Sequence, residues 1–208
     1  MTQRIIGLTG GIATGKSQVA TYLEHQYHLP ILDADRYAHD AVRLGSVALA
    51  QISQRYGSQI LLEDGNLDRQ QLGNIVFNDT AERRWLEGQI HPYVRDRILT
   101  AQSLTPAPIL VTVIPLLFEA KMTDLVTEIW VVVCSLEQQC QRLIARDRLS
   151  RTQAQARITS QMPLTQKASQ ATVVIHNDSD LIHLHAQVDQ ALVLLHRSKK
   201  TKGKTLEP

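Results

Sequence analysis

The feature that most constrains this chain is the segment Gly10-Gly11-Ile12-Ala13-Thr14-Gly15-Lys16-Ser17, which fits the pattern G-x-x-x-x-G-K-[ST]. It follows an apolar run, Arg4 to Thr9, that predicts a buried strand, and it opens a helical stretch. Glycines allow such a loop to turn its backbone N–H groups inward, and the next helix adds the positive end of its dipole. The segment therefore predicts a phosphate-binding loop, with Lys16 reaching the outer phosphates of a nucleotide and the Ser17 hydroxyl ligating Mg²⁺.

Four further apolar runs lie between longer helical stretches, and several are rich in Val and Ile without alternation. They are Pro30 to Leu32, Ile109 to Ile114, Ile129 to Cys134 and Thr172 to Ile175. Such runs are typical of strands covered on both faces, and strands separated by helices pair in parallel. We therefore predict an α/β P-loop fold with a five-stranded parallel sheet flanked by helices, formed by residues 1–36 and 107–198.

A long segment between the second and third predicted strands contains no convincing strand. We predict an all-helical unit over residues 37–106, which is far longer than one crossover helix. The helices expected in it are Ser46 to Tyr56, Asp68 to Phe77 and Thr80 to Leu104, the last bent near Pro92. An insertion of this size beside a phosphate loop is a natural place for a second substrate.

A polar helix from Ser150 to Gln161 stops before Pro163 and predicts a lid over residues 147–163. The arginines just before and within the lid are Arg142, Arg146, Arg148, Arg151 and Arg157. Arginines brought in by lid closure would stabilise the charge of a transferred phosphoryl group while water is excluded. The alternative interpretation is a solvated helical face balanced by Glu137 and Asp147.

Bulk properties narrow the classes of function. No apolar run reaches the roughly 18 residues that cross a bilayer, and the N-terminus lacks the features of a signal peptide, so we expect a cytoplasmic protein without a membrane partner. Five of the 22 cations lie in the last twelve residues, leaving 17 cations against 19 acids elsewhere. This balance gives no reason to bind nucleic acid. We predict a disordered basic tail over residues 199–208 and a monomer.

Cysteine and histidine spacings predict no metal or redox site. Cys134 and Cys140 are six positions apart, which fits buried thiols better than a redox pair or zinc ligands. His183 and His185 differ by two positions and diverge on a helix.

The phosphate loop alone establishes nucleotide binding without naming the acceptor. GTPases usually carry an N-K-x-D motif that reads the base, and none occurs in this sequence. Motor ATPases usually place an acidic pair after a hydrophobic strand, whereas Ile109 to Ile114 leads into Pro115-Leu116-Leu117-Phe118-Glu119. A small-molecule kinase with ATP as phosphoryl donor is the leading class.

Asp33 and Asp35 end the second predicted strand, and the carboxyl ends of parallel strands line the crevice that holds a phosphate loop. A kinase acting on an alcohol needs a carboxylate that orients the hydroxyl and takes its proton. We predict this catalytic role for Asp33 and a capping or supporting role for Asp35. Capping of the next helix by either aspartate is the alternative.

The segment His91-Pro92-Tyr93-Val94-Arg95 lies in the third predicted helix of the insertion, where Pro92 removes a helical hydrogen bond. Arg95 has the planar guanidinium that makes bidentate contacts to phosphate. From spacing alone, a solvated arginine and a packed histidine are the commoner interpretations.

Together, these segments resemble the dephospho-coenzyme A kinase family, which phosphorylates the ribose 3′-hydroxyl of dephospho-CoA in the last step of coenzyme A synthesis. The matching segments are the phosphate loop with Gly7-Leu8-Thr9, Asp33-Ala34-Asp35, Leu67 to Leu72 with Val76-Phe77, His91 to Arg95, Pro115 to Glu119, and Ala156-Arg157-Ile158 with Gln161.

The resemblance implies a nucleotide-binding core, a helical acceptor-binding unit and a lid, with ATP, Mg²⁺ and dephospho-CoA as ligands. It implies catalytic roles for Asp33, Lys16 and Arg142. The ATP-binding residues that it implies are Gly11, Ile12, Ala13, Thr14, Gly15, Lys16, Ser17, Gln18, Arg142, Arg157 and Asn177, the last near the adenine. The acceptor-binding residues that it implies are Asp33, Asp35, His91, Arg95, Leu116, Leu117, Phe118 and Glu119.

Three positions depart from the family pattern. Ala13 stands where the phosphate loop often carries glycine, a change that is tolerable if the residue keeps a conformation open to a side chain. Arg148 replaces the glycine or asparagine of the lid turn, so we expect no left-handed turn there. Thr172 replaces an aspartate that the fifth strand of the family usually carries.

Two alternative functions remain open. One is a kinase for another nucleoside or small alcohol, because the contacts that select the acceptor are not readable from the sequence. The other is a nucleotide-binding regulatory protein that has lost catalysis. The joint presence of Lys16, Ser17 and Asp33 speaks against the second.

Overall fold

The computed structural model describes residues 3–201, and the chain divides into two compact units. One is formed by Met1–Ile31 together with Ala107–Pro208, and the other by Leu32–Pro106. The helical unit begins before the expected boundary at residue 37, because a helix that directly follows the second strand packs with the last helix of the insertion.

A five-stranded sheet is present, as the apolar runs predicted. Its strands are β1 (Arg4–Gly10), β2 (Ile31–Asp33), β3 (Ile109–Val113), β4 (Glu128–Val133) and β5 (Val173–His176). The strand order is β2-β3-β1-β4-β5. β1 pairs in parallel with β3 and β4, and β4 pairs in parallel with β5, so the predicted α/β fold is confirmed.

The helices expected over 46–56, 68–77, 80–104 and 150–161 are present, with bounds that differ by no more than two residues at either end. In chain order, the helices are α1 (Lys16–Tyr27), α2 (Ala34–Ala41), α3 (Val47–Tyr56), α4 (Arg69–Asn78), α5 (Thr80–Leu104), α6 (Leu136–Asp147), α7 (Arg151–Thr159), α8 (Leu164–Ala168) and α9 (Leu181–Thr201).

The core of the first unit lies around β1. Ile6 and Leu8 are fully buried, as is Trp130 of β4, because helices cover both faces of the central strands. Leu23 of α1 and Leu184 of α9 pack in the same apolar cluster. This packing fixes the end of β1, where the phosphate loop begins.

A buried ion pair lies at the opposite end of β1. Arg4 donates to Glu128 Oε1 from Nε at 3.0 Å and from Nη2 at 2.8 Å. Trp130 Nε1 donates to the same oxygen at 3.0 Å, and Arg4 Nη1 donates to the Leu192 carbonyl at 3.3 Å. Both charged side chains are less than a tenth exposed, so these bonds replace the water that each has lost.

The helical unit contains the three expected helices, each starting at a side-chain cap. Ser46 accepts from Leu49 N before α3, Asp68 accepts from Gln70 N and Gln71 N before α4, and Asp79 caps α5. The unit has its own apolar core, in which Ile52 and Ile60 are fully buried. The three helices expected from the sequence are therefore present, and the structure shows the side chain that caps each of them.

Helix α5 runs without interruption through Pro92. Proline cannot donate to the carbonyl four positions earlier, which belongs to Gly88. Gly88 is exposed, and water is therefore able to satisfy that carbonyl.

The sequence prediction missed helix α2, whose eight residues are mostly polar. The expected tail at 199–208 begins too early, because α9 extends to Thr201; residues 202–208 lie outside the described part of the chain. Within the described residues, no helix has the length and apolar character needed to span a membrane.

Candidate active site

The phosphate loop joins β1 to α1, as the motif predicted. Gly15 precedes α1 with a φ of 97°, and a side chain there would clash with the amide of Asn177. The Thr14 hydroxyl donates to the Gly11 carbonyl at 3.0 Å and is fully buried. No side chain caps α1, so its first N–H groups face the position where an anion binds a helix terminus.

Lys16 folds back over this loop. Its Nζ donates to the Gly11 carbonyl at 2.7 Å and to the Gly10 carbonyl at 3.4 Å. Ser17, next to it in the first turn of α1, is exposed. The ammonium and the hydroxyl are thus held at the end of the loop that carries the open helix terminus.

Arg142 and Asn177 support the loop from beneath. Arg142 of α6 donates through Nη2 to the Asn177 carbonyl at 2.9 Å. The Asn177 Nδ2 donates to the Thr14 carbonyl at 2.8 Å and to Gln18 Oε1 at 3.1 Å. Because Asn177 is only 3% exposed, little water competes for its amide. These bonds therefore tie Asn177 to the loop and to the first turn of α1.

Cys134, which follows β4, is close enough to Arg142 and Lys16 for both cations to act on its thiol. Burial is the stronger effect and raises the pKa of this thiol. Cys140 is also a buried free thiol, in agreement with the prediction from spacing.

Three of the five arginines just before and within the lid are paired with carboxylates. Arg151 binds Glu137 at 2.6 Å, and Arg146 and Arg157 both bind Asp147, at 2.7 and 3.0 Å. These contacts match the solvated-face interpretation of the lid in this conformation. Hydrogen bonds from Arg146 lower the pKa of Asp147, and those from Arg151 lower the pKa of Glu137.

The turn before the lid helix differs from expectation. Arg148 has a φ of 54° and a ψ of 37°, so a left-handed residue ends α6 although it is an arginine. The prediction that no left-handed turn occurs here is therefore wrong. Ser150 and Gln153 then form a capping box at the start of α7.

The segment Pro115 to Glu119 follows β3. Leu117 is fully buried and Phe118 is 9% exposed, so both serve mainly as core residues. Glu119 binds Lys167 Nζ at 2.8 Å and accepts from Met162 N at 3.0 Å. Sequence reasoning did not identify Lys167, a lysine with no exposed side-chain surface.

Asp33 lies at the start of the helical unit, immediately before α2. Its Oδ1 accepts from Asp35 N at 2.9 Å and caps α2. The capping role expected of Asp35 thus belongs to Asp33, because Asp35 is already in the first turn of the helix. The second carboxylate oxygen of Asp33 takes no part in this capping bond.

The other predicted acceptor residues of this unit lie on α5. His91 is half-buried, and this burial lowers its pKa, although Glu87 acts in the opposite direction. Arg95 lies one turn further along the helix and is half-buried. At neutral pH we therefore expect an uncharged imidazole beside Pro92.

A cavity of about 350 Å³ lies within the helical unit. Asp35, His39 and Arg69 supply its polar lining, and residues of α4 and α5, such as Val76 and Ile90, supply apolar walls. Arg69 Nη2 donates to the His39 carbonyl at 3.3 Å, which places the guanidinium at the cavity wall. The cavity suits a ligand with both an apolar and an anionic part.

Residues 4–183 match the family described as CoaE, dephospho-CoA kinase. This chain belongs to that family. A dephospho-CoA kinase from Trichormus variabilis is 62% identical over 192 residues, which cover 92% of this chain and 98% of that protein. The family relationship thus extends across both units.

Solved structures agree with the family assignment. The crystal structure of TT1252 from Thermus thermophilus has a TM-score of 0.81 at 32% identity, covering 93% of this chain and 98% of the other. A dephospho-CoA kinase from Campylobacter jejuni has a TM-score of 0.69 at 26% identity, covering 95% of this chain and all of that chain. The fold of this dephospho-CoA kinase family member is therefore that of its relatives.

Proposed function

We propose that this chain transfers the γ-phosphoryl group of ATP to the ribose 3′-hydroxyl of dephospho-CoA, giving coenzyme A and ADP. The observation that carries the proposal is the family match over residues 4–183, which includes the phosphate loop and Asp33. The open terminus of α1 supports nucleotide binding, because backbone N–H groups and the helix dipole favour phosphate there.

ATP would bind along the loop from Gly11 to Gln18. Lys16 supports this role because its ammonium lies over the loop carbonyls, and it would turn to the outer phosphates of bound ATP. Arg142 and Asn177 would act on the nucleotide mainly by fixing Thr14 and Gly15. Arg157 would reach ATP only by leaving Asp147, which is the change expected of lid closure.

Mg²⁺ fits the donor set of the loop. The exposed Ser17 hydroxyl would hold the ion together with phosphate oxygens and water. Among the described residues there is no group of three or more His, Cys, Asp or Glu side chains that could hold a metal. This suits an ion that arrives with its nucleotide, and the bound ion would neutralise phosphate charge.

Asp33 would orient the ribose 3′-hydroxyl and accept its proton. Its position supports this role, because one carboxylate oxygen is fixed by the helix cap while the other makes no cap bond. The capping bond holds the carboxylate in one direction, which is what a positioned base requires.

The acceptor would contact the helical unit through Asp35, His91 and Arg95. It would contact the segment Leu116 to Glu119 through the exposed atoms of Leu116, Phe118 and Glu119, because Leu117 is fully buried. The cavity lined by Asp35 and Arg69 supports this assignment, since dephospho-CoA combines a phosphate-bearing nucleotide with a long arm that has apolar stretches. A cytoplasmic monomer is part of the proposal.

A panel of acceptors tests the proposal. The protein is incubated with Mg-ATP and, in parallel, dephospho-CoA, adenosine, adenosine monophosphate and pantetheine. We expect coenzyme A and ADP in equal amounts from dephospho-CoA, and turnover lower by orders of magnitude with the others. Preference for another acceptor would establish a different small-molecule kinase, and ATP binding without any turnover would favour a regulatory protein.

A further inference from the structure

The phosphate loop contains a residue in an unfavourable backbone conformation. Ala13 has a φ of 58°, in the left-handed region that glycine adopts readily and residues with a side chain adopt rarely. This conformation is open to alanine only at an energetic cost. Contacts from neighbouring residues are therefore needed to stabilise Ala13 in the left-handed conformation.

Two glutamines bind the residue directly before it. Gln161 Oε1 accepts from Ile12 N at 2.8 Å, and Gln139 Nε2 donates to the Ile12 carbonyl at 2.7 Å. The two peptide groups that flank Ile12 are thus each bonded to a side chain, and the second of them leads into Ala13. Gln139 is 2% exposed, so its donor has little water to compete for it.

The close approach of Gln139 depends on the loop sequence. A side chain added at Gly11 would lie 2.6 Å from Gln139 Nε2 and 3.2 Å from Leu164. Glycine at this position therefore leaves the space that the glutamine amide needs to reach Ile12.

The segment that carries Gln161 is itself held in place. The next residue, Met162, donates its N–H to Glu119 Oε1 at 3.0 Å. The fully buried Lys167 binds the same oxygen at 2.8 Å and donates to the Pro115 carbonyl at 3.2 Å. An ion pair with a buried partner is costly to break, so Glu119 and Lys167 fix the base of the lid.

We propose that Gln139 and Gln161 form a clamp on Ile12 that holds Ala13 in its left-handed conformation and so presents the loop N–H groups to phosphate. Both glutamines are positioning residues, because they act on the nucleotide through Ile12 and Ala13. Glu119 and Lys167 support Gln161. The inference uses only the nucleotide half of the proposed function.

A double-mutant cycle on Gln161 and Ala13 tests the clamp. Gln161→Met removes the acceptor for Ile12 N at similar volume, and Ala13→Gly removes the backbone penalty. Loss of one hydrogen bond predicts ATP affinity about 3- to 10-fold weaker in Gln161→Met. In the Ala13→Gly background the same change is expected to weaken ATP affinity by less than about 2-fold, because glycine needs no clamp.

ATP affinity is measured by calorimetry without an acceptor, together with kcat and KM for ATP. Gln155→Met, at an exposed position of α7, is the matched control and is expected to bind ATP like the wild type. Gln139→Met provides an independent second arm of the cycle. Circular dichroism and urea unfolding confirm that each variant is folded.

Equal losses of affinity from Gln161→Met in the wild-type and Ala13→Gly backgrounds would overturn the clamp, as would unchanged affinity in Gln161→Met. If the coupling is found but no coenzyme A is formed, the clamp stands and the proposed function fails. If coenzyme A is formed and the two changes are simply additive, the proposed function stands and the clamp fails.

Discussion

At the scale of single residues, Asp33 combines two roles that a conservative change separates. Its carboxylate caps α2 and, in the proposed reaction, takes the proton of the acceptor hydroxyl. Asparagine caps a helix as well as aspartate does, but its amide is not a base. The side chain can therefore be made catalytically incompetent without loss of the cap.

We predict that Asp33→Asn lowers kcat by about 10²- to 10⁴-fold, the usual contribution of a general base. ATP affinity and the free energy of unfolding are expected to stay near wild type, because the cap and the phosphate loop are intact. Steady-state kinetics, calorimetry with ATP and urea unfolding provide the three measurements. An equal loss of ATP affinity would instead assign Asp33 to the nucleotide or its metal ion.

Residue roles were predictable where a motif carries them and hidden where contacts are distant in sequence. Lys16 and Ser17 follow from the loop pattern alone. Gln139 and Gln161 contact Ile12 across 127 and 149 positions, so no local signal indicates either bond. Asp33 was predicted as a site residue from its place at the strand end, and the structure shows which of its oxygens caps α2.

At the scale of secondary-structure elements, a surface contact joins α3 to the start of α5. Arg55 binds Glu82 through Nε and Nη2, both at 2.7 Å, and the Tyr56 hydroxyl donates to the same carboxylate. The Arg55 guanidinium lies 4.5 Å from the centre of the Trp85 ring. Hydrogen bonds from Arg55 and then Tyr56 lower the pKa of Glu82 from 4.5 to about 2.

This lowered pKa predicts a pH dependence of stability. A carboxyl group whose pKa is depressed by folding stabilises the folded state above its unfolded value, and the effect is lost as the pH falls through its folded value. For Glu82 the loss falls between pH 4.5 and about 2.

In urea unfolding from pH 5 downward, we expect the stability of wild type to fall more steeply than that of Glu82→Gln. Glu63→Gln, which changes an exposed glutamate of the same unit, is the control and is expected to follow wild type. Parallel curves for wild type and Glu82→Gln would show that the contact contributes nothing in solution.

The elements themselves were largely predictable because their signals are local. Ser46, Asp68 and Asp79 mark helix starts, and unbroken Val and Ile runs mark strands. Helix α2 was missed since it is short and polar, although helix capping by Asp33 or Asp35 was the alternative interpretation of the strand end. The left-handed residue Arg148 was also missed, because sequence preference disfavours a conformation that the packing of α6 and α7 imposes here.

At the scale of the whole molecule, a buried ion pair and the phosphate loop lie at opposite ends of β1. The buried Arg4–Glu128 pair is at its amino end, and the phosphate loop is at its carboxyl end. Removing one member of a buried pair leaves an uncompensated charge, whereas replacing both by apolar residues often restores stability.

We predict that Glu128→Leu lowers the free energy of unfolding by about 3–5 kcal/mol, as measured by urea titration. The double variant Arg4→Met/Glu128→Leu is expected to recover much of this loss, less the bond of Trp130 Nε1 to the carboxylate. KM for ATP is expected to be unchanged in folded protein. A double variant no more stable than the single one would contradict this account of the pair.

The division of the chain into two units was predictable from the length of the strand-free segment, but its boundary was not. The five strands form one sheet in an order that the sequence cannot specify, since the apolar runs give position along the chain and not neighbours across the sheet. The identity of the acceptor was predicted from family resemblance alone, because neither composition nor periodicity indicates it.

Transfer of a labelled γ-phosphate tests the central claim most directly. The protein is incubated with Mg-ATP labelled in its γ-phosphate and with dephospho-CoA, and the product is fragmented in a mass spectrometer. We predict that the label appears in coenzyme A, on the ribose 3′-position, in a one-to-one ratio with ADP. Label found only in free phosphate, or on another position of the acceptor, would contradict the proposed reaction.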